Sequence, residues 1–336
     1  MSKLKLLSIL ILIFVLTGCT SNTNKNSKKV VNVLNWSSYI PDEVINDFEK
    51  ETGIKVNYGT YSSNEELLAK VNSSKTGTYD VIFPSDYMVE LMKERGLIQT
   101  LDKSKLTNTT NLNKLFLRQV YDYNNDYSYP FLTTEVVIAV NRDNIKDNIT
   151  SYNDLLNSKY KNNIVLIEDQ RIIIGMALLA NNYDMSATDK VALSRAKEWL
   201  LKLKPNIKAY DSDSPKSFFI TNEADIGVMW NAEAELAKVK NPNIEIIDPK
   251  EGHAISTDNY CIVDGAKNTD NAYLFINYLL RNEVSNKITT EYPYISPNNI
   301  KQNSIITPKN IFNNGYYVKN IGENISEYDK LWADIK

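Results

Sequence analysis

Cysteine and histidine are nearly absent from this chain, and each scarcity removes a class of chemistry. Its 336 residues hold two cysteines, Cys19 and Cys261, too few for the disulfide framework of a small secreted scaffold. The single histidine, His253, cannot join them in a zinc site, which needs several such ligands. It also leaves the chain short of the commonest general base, and neither Gly-x-Ser-x-Gly nor His-Glu-x-x-His occurs. No metal, no cofactor and no catalytic residue is therefore expected, although a pair of carboxylates could still serve a surface glycosidase, and that reading stays open here. After Leu16 no apolar run reaches the about 20 residues a membrane-spanning helix requires. The formal charge of −3 offers no basic surface for nucleic acid.

What the chain does have begins at its start. Lys3 and Lys5 precede an apolar and small-residue run from Leu6 to Leu16, and Leu16-Thr17-Gly18-Cys19 follows at once. This reads as a secretory signal over residues 1–18, and Leu-x-Gly before a cysteine resembles the cleavage site of bacterial lipoproteins. The resemblance implies that Cys19 becomes a lipidated N-terminus; a plain secreted chain with an incidental Cys19 is the competing reading. Residues 19–29 are polar or basic and read as a flexible tether. Loss of Lys3 and Lys5 leaves 36 basic against 41 acidic side chains, a formal −5 that favours a cationic ligand.

Beyond the tether, about 310 residues exceed what one core usually organises, so two lobes are expected. Val30–Leu34 reads as a strand, Pro41–Glu51 as a helix, Ile54–Tyr58 as a strand after the stop at Gly53. Ser63 and Glu66 form a capping box, Val81–Phe83 is a short strand, and a helix runs from Asp86 to Gly96. A second round has strands at Val136–Val140, Ile164–Ile167 and Asp225–Trp230, a short helix opened by Ser151 and Asp154, and helices over Met176–Asn181 and Lys190–Lys202. Alternation of this kind predicts an α/β fold whose lobes are mainly parallel sheets flanked by helices. Tyr260-Cys261-Ile262-Val263 is strand-like, so Cys261 reads as a buried small hydrophobe.

Open α/β sheets bind ligands beyond the carboxyl ends of their strands. Those ends carry Asn35-Trp36-Ser37-Ser38-Tyr39, Pro84-Ser85-Asp86-Tyr87, Glu168-Asp169 and Trp230-Asn231-Ala232-Glu233, and a later loop adds Ser256-Thr257-Asp258. Rings, hydroxyls and carboxylates recur there while Lys and Arg hardly do. That combination suits an organic cation, because carboxylates neutralise ammonium groups and ring faces cover methylenes. A cleft of unpaired carboxylates should stay open and wet until a cation makes closure favourable.

Seven segments in a shared order then resemble one family: Trp36-Ser37-Ser38-Tyr39, Glu51-Thr52-Gly53-Ile54-Lys55-Val56, the stretch from Asp102 to Asn108, Asn124-Asn125-Asp126-Tyr127-Ser128, Met229-Trp230-Asn231, Pro249-Lys250-Glu251-Gly252 and Tyr278-Leu279-Leu280-Arg281. They look like the spermidine/putrescine-binding proteins of bacterial ABC importers, from about Val31 to the C-terminus. The resemblance implies a two-lobed periplasmic-binding-protein fold of type II with the cleft between lobes, and a monomer held to the membrane only by lipid. It implies delivery of a polyamine to permease subunits with a cytoplasmic ATPase. Lobe 1 would span 30–133 plus 257–302, lobe 2 137–251 plus 306–336, and the crossings 134–136, 252–256 and 303–305.

Carried over by position, the cleft residues are Trp36, Ser37, Tyr39, Ser85, Tyr87, Asp169, Trp230, Asp258 and Tyr294. Three departures stand out: Ile172 where relatives usually have Glu, Ser256 where they often have Trp, and Val318 near an expected Gln. A trication loses an anchor by these changes. Glu233 stands where putrescine-binding relatives have an acid, with Glu135 and Asp86 as further candidates, so the reading leans to a diamine. Glu233 also suits the N-terminal charge of a helix, and Arg171 reads as a partner for Asp169. His253 is expected in a solvated or hinge loop, Tyr316-Tyr317 in packing, and Trp199 and Trp332 in the core. The same fold binding ferric iron, thiamine or an acidic metabolite is the alternative.

Overall fold

The computed structural model of the protein describes residues 29–37, 39–302 and 308–336. Cys19, the predicted tether up to Lys28 and the predicted crossing at 303–305 lie outside the described residues. No helix among the described residues is long and apolar enough to cross a membrane.

Strand β1 (Val30–Trp36) leads into α1 (Asp42–Thr52). Asp42 and Glu43 occupy the first turn, where exposed N–H groups favour negative charge, and Gly53 ends the helix at φ 68°, a left-handed conformation that costs glycine little. β2 (Lys55–Tyr61) pairs parallel with β1, from Val30 opposite Lys55 to Trp36 opposite Tyr61. The Ser63 hydroxyl caps α2 (Asn64–Ser73) by accepting the Glu66 N–H at 3.1 Å. Glu66 accepts in turn from the N–H and hydroxyl of Ser62, each at 2.8 Å, so the capping box closes one residue earlier than its sequence form. β3 (Val81–Ile82) and α3 (Asp86–Glu94) complete the first unit.

The chain then enters β4 (Tyr129–Asn141), 13 residues that are all buried. A second unit follows with β5 (Ile164–Leu166), α4 (Gln170–Ala180), α5 (Lys190–Leu203), β6 (Ile207–Tyr210), α6 (Lys216–Ile220), β7 (Ile226–Trp230), α7 (Asn231–Lys240) and β8 (Ile244–Ile247). β9 (His253–Ile262) returns the chain to the first unit, which gains α8 (Thr269–Leu279) and α9 (Asn282–Glu291). α10 (Pro308–Ile311), β10 (Gly315–Tyr317) and α11 (Ile325–Ile335) end the chain.

Strand order is β2-β1-β3-β9-β4-β7-β5-β6, with β10 on β9 and β8 on β4. The outer pairings are parallel in both units, whereas β9 and β4 run antiparallel to each other at the centre. These two long strands serve both halves: Ile82 pairs with Cys261 on one side, and Val136 with Trp230 on the other. Val31, Phe48, Phe131, Tyr260 and Phe275 pack on one face of the first sheet, and Leu34, Leu67, Met92 and Cys261 on its other face. Val137, Ile164, Ile173, Ala196 and Trp199 belong to the core of the second half.

Three expectations of local structure change, and the predicted crossings take a definite secondary structure. α4 begins at Gln170, six residues before Met176, because Asp169 caps it. Ser256-Thr257-Asp258 lies within β9 rather than in a loop. The predicted crossings at 134–136 and 252–256 are mostly strand, with Thr134 opposite Ser256 and Glu135 opposite Ile255. His253 is neither solvated nor in a loop: it opens β9 at 1% exposure.

The His253 ring is held from two sides, by Asp248 Oδ1 at 2.6 Å from Nδ1 and by Glu135 Oε2 and the Ile311 carbonyl, each 3.1 Å from Nε2. Burial opposes the charged ring, but the bonds to Asp248 and Glu135 outweigh it and raise its pKa to about 10. A raised folded-state value means that the stabilisation is complete below the ordinary histidine pKa and disappears as pH climbs through about 10. His253→Gln should lower unfolding free energy near pH 7 by about 3 kcal/mol, because Glu135 then stays buried without its cation. The deficit relative to wild type, measured by urea unfolding, should shrink steadily toward pH 10; a deficit independent of pH would contradict the charged pair.

Candidate ligand-binding site

Asp258 is the centre of the site. It stands opposite Leu132 where β9 and β4 run together, and it is only 4% exposed. The Ser85 hydroxyl, just ahead of α3, donates to Asp258 Oδ1 at 2.7 Å, and the two residues form a short antiparallel bridge. Asn64 fixes Ser85 by accepting its N–H at 3.2 Å and donating to its hydroxyl at 3.1 Å. The Tyr39 hydroxyl also bonds Asp258, and the Trp36 side chain lies beside it while its indole N–H donates to the Phe83 carbonyl at 3.1 Å. Burial pushes the Asp258 carboxyl up to about 6, against the opposing bonds from Ser85 and Tyr39 and the nearby Trp36 indole N–H.

Aromatic rings wall this carboxylate. Trp36 lies 4.6 Å from Tyr61 and 6.2 Å from Tyr39 between ring centres, and Tyr39 is 4.7 Å from Tyr294. Tyr294 is positioned by its neighbour Ile295, which exchanges both backbone hydrogen bonds with Thr133 at 2.8 Å. Ser37 lies exposed in the turn after β1, outside the ring of contacts around Asp258.

Asp86 is a second buried carboxylate, 2% exposed. Its Oδ2 accepts the Thr257 N–H at 2.9 Å and its Oδ1 that of Tyr87 at 2.7 Å. Burial raises its carboxyl to about 7; those backbone bonds oppose the rise and the charge of Asp258 adds to it. Among the described residues, no Lys, Arg or His side chain forms an ion pair with either Asp86 or Asp258. Thr257 links the strands here, its hydroxyl sharing hydrogen bonds with Thr133 Oγ1 at 3.0 Å and with the Tyr317 hydroxyl at 3.2 Å.

The second half supplies the opposite wall. Asp169 caps α4, its Oδ1 accepting the Arg171 and Ile172 N–H groups at 2.8 and 3.1 Å, and it is half-buried. Arg171 does not pair with Asp169 as the sequence suggested. Its guanidinium lies 4.2 Å above the Tyr87 ring, a contact from one half of the molecule to the other, and among the described residues its buried Nη1 has no hydrogen-bond partner. The Tyr87 hydroxyl donates to Glu65 Oε1 at 3.2 Å, and the charges of Glu65 and Asp169 both act on Tyr87. Trp230 ends β7 half-buried, opposite Val136.

Glu233 sits in the first turn of α7, buried, and Lys216 already holds it: Nζ donates to both carboxylate oxygens at 2.8 and 3.0 Å. Burial raises the Glu233 carboxyl, and Lys216 opposes that rise. Glu135, the weaker candidate, faces His253 instead of the cluster.

Sequence reasoning missed Asn231, Tyr61, Glu65 and Lys216. Asn231 is fully buried; its Oδ1 accepts from Thr134 Oγ1 at 2.7 Å and its Nδ2 donates to the Pro293 carbonyl at 3.4 Å, tying β4 to the segment carrying Tyr294. Its position directly after Trp230 was the available signal. Nothing in the sequence pairs Lys216 with Glu233, 17 residues away.

A ring-walled carboxylate at the seam of two α/β halves joined by shared central strands defines the class of two-lobed solute-binding proteins. Residues 43–304 match the model for bacterial extracellular solute-binding proteins, and the chain belongs to that family. It is 37% identical over 313 residues, 90% of either chain, to the spermidine/putrescine-binding periplasmic protein of Salmonella typhimurium. It is 31% identical over 280 residues to a putrescine-binding periplasmic protein of Pseudomonas aeruginosa, covering 78% of this chain and 76% of the other. The structure of the spermidine/putrescine ABC transporter substrate-binding protein of Streptococcus pneumoniae matches with a TM-score of 0.80 at 30% identity, over 91% of this chain and 98% of that one. The family is one of transport proteins that bind solutes outside the cytoplasm.

Proposed function

We propose that this chain is the polyamine-capturing component of an ABC importer, tethered by a lipid on Cys19 and delivering its ligand to membrane permease subunits coupled to a cytoplasmic ATPase. The observation that carries this reading is Asp258, a buried carboxylate with a raised pKa that is met by hydroxyls and aromatic rings but, among the described residues, by no cation. An ammonium group would complete it: the charge pairs with the carboxylate while Trp36, Tyr39 and Tyr294 cover the adjoining methylenes. Asp86, one strand residue away from Asp258 through Thr257, adds negative potential to the same place. The relatives' names point to the same ligand class, spermidine and putrescine.

In this reading lobe 1 comprises 30–133 and 257–302, lobe 2 comprises 137–251 and 306–336, and β4 and β9 form the hinge between them. Closure brings Asp169 and Trp230 of lobe 2 toward a ligand anchored at Asp258 beside Tyr87 of lobe 1, and the monomer alternates between open and closed forms. Capture rather than turnover follows from the chemistry present: the one histidine is committed to Asp248 and Glu135, away from the cluster.

Calorimetric titration of the mature chain with putrescine, cadaverine, spermidine and spermine tests this directly. Asp258→Asn should weaken binding at least about tenfold, the scale of a charge-assisted contact. Because cation binding favours the ionised carboxyl, and Asp258 and Asp86 titrate at about 6 and about 7, affinity should fall as pH drops from 8 to 5. Affinity that ignores both the substitution and the pH would remove the carboxylates from the site. For the anchor, Cys19→Ala should move the protein from the membrane fraction to the soluble one with ligand affinity intact; retention on membranes would rule the lipid out.

A further inference from the structure

Two anionic positions lie along the aromatic wall, and they are treated oppositely. Asp258 bonds the Tyr39 hydroxyl, Tyr39 stacks on Tyr294 at 4.7 Å, and the charge of Glu233 acts in turn on Tyr294. Asn231, two residues before Glu233 in the first turn of α7, donates to the Pro293 carbonyl next to Tyr294 at 3.4 Å, so Glu233 lies on the Tyr294 side of the wall and Asp258 on the Tyr39 side. Asp258 has no cation among the described residues, whereas Glu233 has Lys216, whose ammonium sits between both carboxylate oxygens at 2.8 and 3.0 Å.

The Glu233 side chain is 10% exposed and that of Lys216 27%, so the pair is largely withdrawn from water. Lys216 opens α6, a five-residue helix packed against α7, which carries Glu233. A lysine side chain is four methylenes ending in an ammonium, the same chemistry as one end of a polyamine.

We infer that Lys216 is a resident occupant of a second anionic subsite and sets which polyamines the cleft prefers, an inference that rests on the polyamine reading above. With Lys216 seated, Glu233 gives a ligand's distal ammonium no unpaired charge; the ligand must either stop short of Glu233 or exchange one alkylammonium for another. The cleft then rewards a ligand for its ammonium at Asp258 and gains little from additional ones. This accounts physically for a lean toward short diamines, beyond the loss of an acid at Ile172.

The test is calorimetry at pH 8 and low salt with putrescine and spermidine on wild type, Lys216→Met, and Lys216→Met combined with Glu233→Gln. Lys216→Met should raise spermidine affinity at least about tenfold, with a smaller gain for putrescine, and should steepen the salt dependence of spermidine binding. The gain should vanish in the double variant, because no carboxylate is then left to receive the ammonium. Should Lys216→Met not fold, Lys216→Gln removes the charge while keeping a hydrogen bond to Glu233, and the same gain is expected from it. Unchanged or weaker spermidine binding in a folded variant, or a gain that survives Glu233→Gln, overturns the inference while leaving the importer reading intact. Failure of wild type to bind any polyamine overturns the reading beneath it and the inference together.

Discussion

A carboxylate taken out of water without a cation is among the costliest groups a fold can carry, and Asp258 is such a group. The surrounding structure is organised to hold it. Asn64 clamps Ser85 so that its hydroxyl faces Asp258, and Ser85 in turn fixes the start of α3 against β9. Tyr39 approaches from the turn after β1, backed by Tyr294, which hangs on the bonds between Ile295 and Thr133. Hydroxyl donors moderate the cost but do not cancel it, since the carboxyl still titrates at about 6. In the proposed reading, the unmet part of that cost is what a ligand cation would relieve, so the affinity of the site and the cost of burying its carboxylate would have one origin.

Contrast three other buried acids, Glu135, Glu233 and Asp80. Glu135 has His253, Glu233 has Lys216, and Asp80 is satisfied by the N–H and amide groups of Asn32 and Asn268. Each is neutralised or fully bonded within the fold, which is how buried charge is ordinarily managed. Asp258 and Asp86 have hydroxyl and N–H donors but no cation among the described residues, and both titrate well above the ordinary carboxylate range, at the place where the two long strands shared by both halves run side by side. A polar ladder of Thr133, Thr257 and Tyr317 pins those strands at the same level. Relative motion of the halves about continuous strands would be a twist centred beside the carboxylates, and in the proposed reading closure and cation capture would then be mechanically one event.

Much of this was legible in the sequence, for identifiable reasons. Strong local signals placed Gly53 as a helix stop, Ser63 as a cap and the strands around Val31 and Val137, because caps, turns and apolar periodicity act over a few residues. Trp36, Tyr39, Ser85 and Asp258 came together as the strand-end rule and the family pattern implied. Failures came where the deciding partner is remote. His253 reads as a loop residue beside Gly252 until β4 brings Glu135 against it, 118 positions earlier in the chain. Arg171 reads as the ion-pair partner of Asp169, yet a helix starts at once, Asp169 caps it through the Arg171 N–H, and the guanidinium lies instead over Tyr87. Asp258 was placed in a loop because the alternating Ser256-Thr257-Asp258 run is polar, and only pairing with buried β4 makes it strand. Lys216 carried no signal at all, since a lysine opening a short helix is ordinarily solvated.

The most direct measurement of the central claim is a crystal structure of the mature chain with a bound polyamine. The account expects one ammonium nitrogen within hydrogen-bonding distance of the Asp258 carboxylate, with the adjoining methylenes against Trp36, Tyr39 and Tyr294. A polyamine bound elsewhere, with Asp258 still held only by the Ser85 and Tyr39 hydroxyls, would contradict it.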